Sequence, residues 1–356
     1  MAARFSLRLK LRTLDSASRI STRLQRSQPA RFQPARFQPA QWSRRAMLGA
    51  IGGVLAIGLG SCQLPGSSPQ GTRKPRVVAT STILADLTHR IGKDDIDLQG
   101  ILKPGDDPHT YEPIPQDTVT LEKADLVLYN GYNLEPGLIR LMQANALNAK
   151  KIPVGEVITP LKLDKEGELV PDPHVWGNAK NAMRMVEVIR DELINLQPQN
   201  RDRFTQNAQA LITELQRLDR WIAEQIQTLP PERRKLVTTH DAFQYYAQAY
   251  GLTVVGTLIG ISTEEQPSAQ TVKQLVQTIR STGVPTIFAE TAINPALIET
   301  VAEEAKVKLA EQPLFADSIG VPGNAGDSYV EMLVVNTRLI VEGLGGTVQD
   351  FTTDTP

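Results

Sequence analysis

The 356-residue chain carries a formal net charge of -1, with 41% hydrophobic and 22% charged residues, four histidines and one cysteine. That length exceeds one core and points to about two domains. A single cysteine excludes a disulfide framework, an iron–sulfur cluster and every cysteine-rich zinc module, because each needs several thiolates. Metal or acid–base chemistry therefore falls to His89, His109, His174 and His240 together with carboxylates.

The near-zero charge hides two unlike segments. Residues 1–61 hold eleven Lys/Arg and one acid, Asp15, whereas the rest of the chain has a net charge of -11. A basic leader before an acidic body is a targeting pattern and argues against nucleic acid as a partner. Ser43-Arg44-Arg45-Ala46-Met47-Leu48-Gly49 looks like a twin-arginine export signal. The apolar run from Met47 to Gly60 that follows is too short for a stable membrane-spanning helix. It ends in Leu59-Gly60-Ser61-Cys62, which resembles a lipobox, whose cysteine would be lipidated and become the first residue of the mature protein. The expected organisation is an export signal over 1–61 and a Pro-, Gly- and Ser-rich tether over 62–75. Within the leader, Arg31-Phe32-Gln33-Pro34-Ala35 repeats as Arg36-Phe37-Gln38-Pro39-Ala40, a low-complexity stretch with no packing period.

From residue 76 the chain alternates short β-branched runs with helical patterns. Strands are expected at 77–82, 96–102 and 126–129, and helices at 83–91 and 137–146. The alternation restarts at Lys235, with strands at 236–239, 253–259 and 286–289 and helices at 242–250, 269–280 and 296–306. This order predicts an α/β fold with two lobes built on mainly parallel sheets. Between them, Phe204, Ala208, Leu211, Ile212, Leu215, Leu218, Trp221, Ile222 and Ile226 recur at spacings of three and four. They mark one amphipathic helix of about 40 Å, long enough to run along both lobes. The lobes are expected at 76–200 and 229–350, with the linking helix at 201–228.

Three of the four histidines fall in loops where open α/β sheets bind ligands. His109 lies in Gly105-Asp106-Asp107-Pro108-His109-Thr110-Tyr111-Glu112-Pro113, after a strand and before a helix. His174 lies in Asp172-Pro173-His174-Val175-Trp176, a Pro-stiffened loop, and His240 ends the strand at 236–239. Asp107, Asp172 and Asp241 stand close by in sequence and are candidates to orient the imidazoles, although Asp241 is by default a helix cap. His89 sits in the middle of a helix, where it reads as a solvent-facing or half-buried residue. Tyr111 and Trp176 read as cleft-wall packing. Glu290 is open to two readings, a polar support for the site or a cap for the next helix. The glycine-rich segment 320–327 lacks a phosphate-loop lysine and reads as a surface loop.

Together with His240-Asp241-Ala242-Phe243-Gln244-Tyr245-Tyr246 and Phe315-Ala316-Asp317-Ser318, these segments resemble the four ligand motifs of the cluster A-I (cluster 9) zinc/manganese substrate-binding lipoproteins of ABC importers. The resemblance covers roughly residues 76–345. It implies a two-lobed, non-catalytic binder with a rigid backbone helix and one divalent cation in the cleft between the lobes. The implied ligands are His109 and His174 from the first lobe and His240 and Asp317 from the second, so that cleft closure and metal binding are linked and the motion is modest. The implied cargo is Mn2+ or Zn2+, and nitrogen donors disfavour calcium and magnesium. His at position 240 together with Asp317, and no His-rich loop, match the His-His-His-Asp subgroup, for which both metals have been proposed. The implied partners are a permease and an ATPase, with membrane attachment through lipid on Cys62 and a monomeric chain. An exported metal-dependent hydrolase is the competing class. It would use the same four residues with a bound water and Glu290 as general base, although no HExxH motif is present. A metal-binding adhesin or buffer is a third reading.

Overall fold

A computed structural model of the chain describes residues 73–145, 148–165 and 167–352. The export signal, the lipobox and most of the tether lie outside these residues. The first half contains β1 (Arg76–Ala79), α1 (Thr82–Gly92), β2 (Asp97–Gly100), α2 (Pro115–Glu122), β3 (Leu126–Tyr129), α3 (Pro136–Ala144) and β4 (Lys150–Pro153). β5 (Lys162–Lys165), β6 (Glu168–Pro171) and α4 (Ala179–Leu196) complete it. β1 to β4 form one parallel sheet in the order β2-β1-β3-β4, and β5 pairs antiparallel with β6.

After α5 (Arg201–Gln227) come β7 (Lys235–Thr238), α6 (Gln244–Tyr250), β8 (Thr253–Thr257), α7 (Ala269–Thr282), β9 (Thr286–Ile287), α8 (Ala296–Ala305), β10 (Lys308–Leu309) and α9 (Tyr329–Gly343). β7 pairs parallel with β8, and β9 with β10. The backbone N–H of Phe288 bonds the Val237 carbonyl at 3.0 Å, which brings β9 alongside β7. The α/β class with mainly parallel pairing is thus as the alternation predicts.

Local chemistry explains most element ends. Ser81, Ser268 and Ser328 accept from the backbone N–H groups of Leu84, Thr271 and Glu331, capping α1, α7 and α9. Pro115 and Pro136 occupy the first helical position of α2 and α3, where a missing N–H costs nothing. Gly251 and Gly283 close α6 and α7 at φ 82° and 65°, a left-handed conformation that glycine adopts without penalty. The serine cap shortens the first expected strand, which ends at Ala79 because residues 80–81 turn into α1.

All nine apolar residues of the predicted linking helix are buried along α5. Their stripe packs against α1 and α4 before it in sequence and against α9 after it, so one helix contributes to the core of both halves. The segment after α9 returns to the same helix at Gln349. Trp221 donates from Nε1 to the Gln349 carbonyl at 3.0 Å, and Gln225 accepts from the Gln349 N–H at 2.9 Å.

One buried carboxyl stands apart from this apolar core. Glu135 sits beneath the carboxyl ends of β1 and β3 and accepts from the Asn130 N–H at 2.7 Å and the Thr80 hydroxyl at 2.8 Å through Oε1. Its Oε2 has no hydrogen-bond partner among the described residues. Burial outweighs those bonds and pushes the carboxyl up from 4.5 to about 7. The folded chain therefore holds a proton that the unfolded chain has released, and this stabilisation is lost as pH rises from 4.5 through about 7. Glu135→Gln keeps the accepting oxygen and removes the titration. Its stability relative to the parent is expected to rise by roughly 2 kcal/mol between about pH 5.5 and about pH 8, as measured by denaturant unfolding at the two pH values.

Candidate metal site

Four loops deliver the site. His109 lies between β2 and α2, His174 follows β6, His240 lies between β7 and α6, and Asp317 lies between β10 and α9. All four positions are expected from the sequence, the three histidines from their loops and Asp317 from the family resemblance. The structure refines the third, since β7 ends at Thr238 and α6 starts at Gln244, leaving His240 in a turn rather than at a strand–helix junction.

Residues separated by as many as 208 positions converge here. One donor atom each from His109, His174, His240 and Asp317 lies within 4.8 Å of the others. His109 Nε2 is 3.2 Å from His174 Nε2, and Asp317 Oδ2 is 3.2 Å from His240 Nε2 and 3.8 Å from His109 Nε2. Asp317 Oδ1 is 3.5 Å from His174 Nε2. Four donors held about 2.1 Å from one ion in a tetrahedron stand about 3.4 Å apart, so these separations suit a single first-row cation. His174 and His240 are 0% exposed, and His109 and Asp317 each 3%. Neither His240 Nε2 nor Asp317 Oδ1 has a hydrogen-bond partner among the described residues, although both are buried. Polar atoms so placed are costly unless a ligand satisfies them.

Two carboxylates orient the rings. Asp172 Oδ1 lies 2.7 Å from His174 Nδ1 and also accepts the His174 N–H at 3.0 Å. Glu290 does the same for His240, with one oxygen on Nδ1 and the other accepting the His240 N–H at 2.9 Å. With Nδ1 protonated against a carboxylate, each ring turns its Nε2 lone pair toward the common centre. Glu290 pairs in a β-bridge with Leu314, while α8 begins beyond it after Pro295, so the helix-cap alternative for Glu290 is not realised.

Sequence proximity identifies only one of the three candidate orienting aspartates. Asp172 contacts its neighbouring ring, but Asp107 bonds the backbone N–H of His109 at 2.9 Å and the Thr263 hydroxyl at 2.5 Å. Asp241 accepts from the Gln244 side chain at 2.7 Å, and α6 has no side-chain cap. The partner of His240 comes instead from 50 residues away. The only signal for it was an acid at the end of an apolar strand.

The electrostatics follow from this enclosure. Burial alone would lower the His240 imidazolium, but the charges of Glu290 and Asp317 together hold it well above 6.5. Burial would raise Asp317, yet His240 foremost, with His174 and His109, holds its carboxyl well below the usual carboxylate range. Trp176 stacks edge-on against His174 with ring centroids 5.4 Å apart, as a wall of the site. Tyr111 donates to Asp117 Oδ2 at 2.9 Å. His89 is exposed on α1, away from the cluster.

The scaffold and its donor set are those of an α/β solute-binding protein with a metal-type site. The family model described as zinc-uptake complex component A, periplasmic, matches residues 77–343, and the chain belongs to this family of metal-importer substrate-binding proteins. The chain is 35% identical over 295 residues to the manganese ABC transporter substrate-binding lipoprotein PsaA of Streptococcus anginosus, covering 81% of this chain and 95% of that protein. Its fold superposes on the periplasmic zinc-binding protein TroA of Treponema pallidum with a TM-score of 0.73 at 35% identity, covering 76% of this chain and 99% of the other. A Mn-bound periplasmic metal-binding protein of Candidatus Liberibacter asiaticus aligns with a TM-score of 0.69 at 26% identity, covering 76% and 100%.

Proposed function

We propose that this chain is the extracytoplasmic substrate-binding protein of an ABC importer, capturing one Mn2+ or Zn2+ at His109, His174, His240 and Asp317 and delivering it to a membrane permease and its ATPase. The observation that carries this reading is the convergence of four buried donor atoms within 4.8 Å. Three neutral imidazoles and one carboxylate suit a first-row ion, whereas calcium and magnesium favour all-oxygen sites. Relatives named for manganese and for zinc support either cargo. By the ordinary affinity order zinc binds such a donor set more tightly, so the ion carried in the cell follows availability as well as affinity.

The same geometry favours capture over hydrolysis. A metal hydrolase needs a general base free to take a proton from a bound water. Both oxygens of Glu290 are engaged by His240, one on the ring and one on the backbone N–H. The chain is read as a non-catalytic, monomeric carrier, divided into lobes at 76–200 and 229–350 by the helix at 201–228.

Attachment to the membrane is assigned to lipid on Cys62, at the end of the lipobox-like segment. The test is metal analysis of protein purified from its own envelope, with competition between zinc and manganese. One equivalent of either ion is expected, and protein without bound manganese or zinc that takes up neither would overturn the reading. Cys62→Ser is expected to move the protein from the membrane fraction to the soluble one, and unchanged fractionation would remove the lipid assignment.

A further inference from the structure

The four proposed ligands are not held alike. The His174 loop precedes α5 in sequence but is fastened to elements that follow it. Trp176 Nε1 donates to the Ala316 carbonyl at 3.0 Å, the Tyr329 hydroxyl to the Trp176 carbonyl at 2.5 Å, and the Tyr245 hydroxyl to the Asp172 carbonyl at 3.0 Å. All of these contacts are buried, so His174 shares one platform with His240 and Asp317.

The loop carrying His109 is tied differently. Its Gly105 N–H reaches the Ser318 hydroxyl at 3.0 Å, at the end of the loop away from the histidine. Nearer the ligand, Asp107 uses Oδ1 to hold the His109 N–H at 2.9 Å and Oδ2 to accept the Thr263 hydroxyl at 2.5 Å. Thr263 lies 156 residues away, between β8 and α7, so a single carboxylate links that segment to the backbone of His109. Of the four proposed ligands, His109 alone lines a cavity of about 560 Å³, bounded also by Tyr129, Tyr132, Ser262 and Glu264. The latch therefore joins the ligand that lines this cavity to Thr263, whose chain neighbours Ser262 and Glu264 line it as well.

The geometry points to Thr263 as a positioning residue that latches the His109 loop through Asp107 and sets the rate at which metal leaves. This inference rests on the ligand set proposed above. When the latch is absent, His174, His240 and Asp317 remain on their platform while the His109 loop loses its link through Asp107 to Thr263. The consequence is faster dissociation with little change in fold stability.

Thr263→Val removes the hydroxyl donor at nearly constant shape, and Thr263→Ser restores it. Release of Zn2+ and, separately, of Mn2+ from the full chain into excess chelator is followed by stopped flow, alongside unfolding of the metal-free protein. Thr263→Val is expected to release metal on the order of tenfold faster, Thr263→Ser to behave like the parent, and the metal-free proteins to unfold alike. In a His109→Ala background, Thr263→Val is expected to add nothing, because its effect passes through His109. Parental release by Thr263→Val, failure of Thr263→Ser to restore it, or a full valine effect without His109 would overturn the latch. Parental affinity in His109→Ala alone would instead overturn the ligand assignment, so the two failures are distinguishable.

Discussion

Metal binding by Asp317→Asn and His240→Ala is expected to be more than about 100-fold weaker than in the parent, whereas His89→Ala binds normally. Removing a group that merely orients a ligand typically costs 10- to 100-fold, so removing a ligand itself sets a larger effect. The two substitutions differ in what they leave behind. His240→Ala strands Glu290, which is 3% exposed and has its carboxylate directed at that ring and its backbone. A buried carboxylate without its partner destabilises the fold, by about 3 to 5 kcal/mol in comparable cases. Asp317→Asn keeps the shape and one oxygen while removing the negative charge that the three imidazoles surround. Isothermal calorimetry with Mn2+ and Zn2+, paired with denaturant unfolding of the metal-free proteins, separates lost coordination from lost stability. Equal affinities for Asp317→Asn, His240→Ala and His89→Ala would remove the ligand assignment.

Affinity is expected to fall as pH is lowered, with the fall beginning above 6.5. A ligating imidazole must present an unprotonated nitrogen, so binding displaces any proton the metal-free site holds. In the metal-free protein, Glu290 and Asp317 hold the His240 imidazolium well above 6.5 despite burial. Lowering the pH toward that raised value therefore favours the metal-free state, and proton release on binding is expected at neutral pH. Asp317 does not compete in this window because its carboxyl is held low and stays ionised. Below the onset, the association constant is expected to drop by about tenfold per pH unit for each proton displaced. Calorimetry in buffers of different ionisation enthalpy measures the proton count directly. A flat affinity from about pH 5 to about pH 7.5, with no protons released, would mean that the histidines do not hold the metal.

Much of the architecture is legible in the amino-acid sequence alone. The period of three and four from Phe204 to Ile226 placed α5, since a one-sided stripe of that length has no other use for its apolar face. The serine cap of α1 and the prolines that open α2 and α3 were not read from the sequence, and the first expected strand accordingly ran past Ala79 through the cap at Ser81 and into the helix at Thr82. α4 carries a comparable stripe, with Ala182, Met185, Val186, Ile189 and Leu193 buried, and was legible in principle. The β5-β6 hairpin was not, because Lys162–Lys165 and Glu168–Pro171 are short and polar and are held together by backbone bonds that any sequence can make.

The sequence by itself determined the class of fold and the residue types available for a metal site. It also singled out His109, His174, His240 and Asp317, through motifs that each lie within a few consecutive residues. Only the tertiary structure decided that their donor atoms meet, that Glu290 rather than Asp241 orients His240, and that Asp107 reaches Thr263 instead of a ring. The reason is physical. Spacing along a chain reports contacts within a turn or two, whereas these pairs span 50 to 208 positions and exist because α5 and the parallel sheets bring separate loop ends together. The choice of partner for each buried charge is then made by which carboxylate the packing leaves within hydrogen-bond reach.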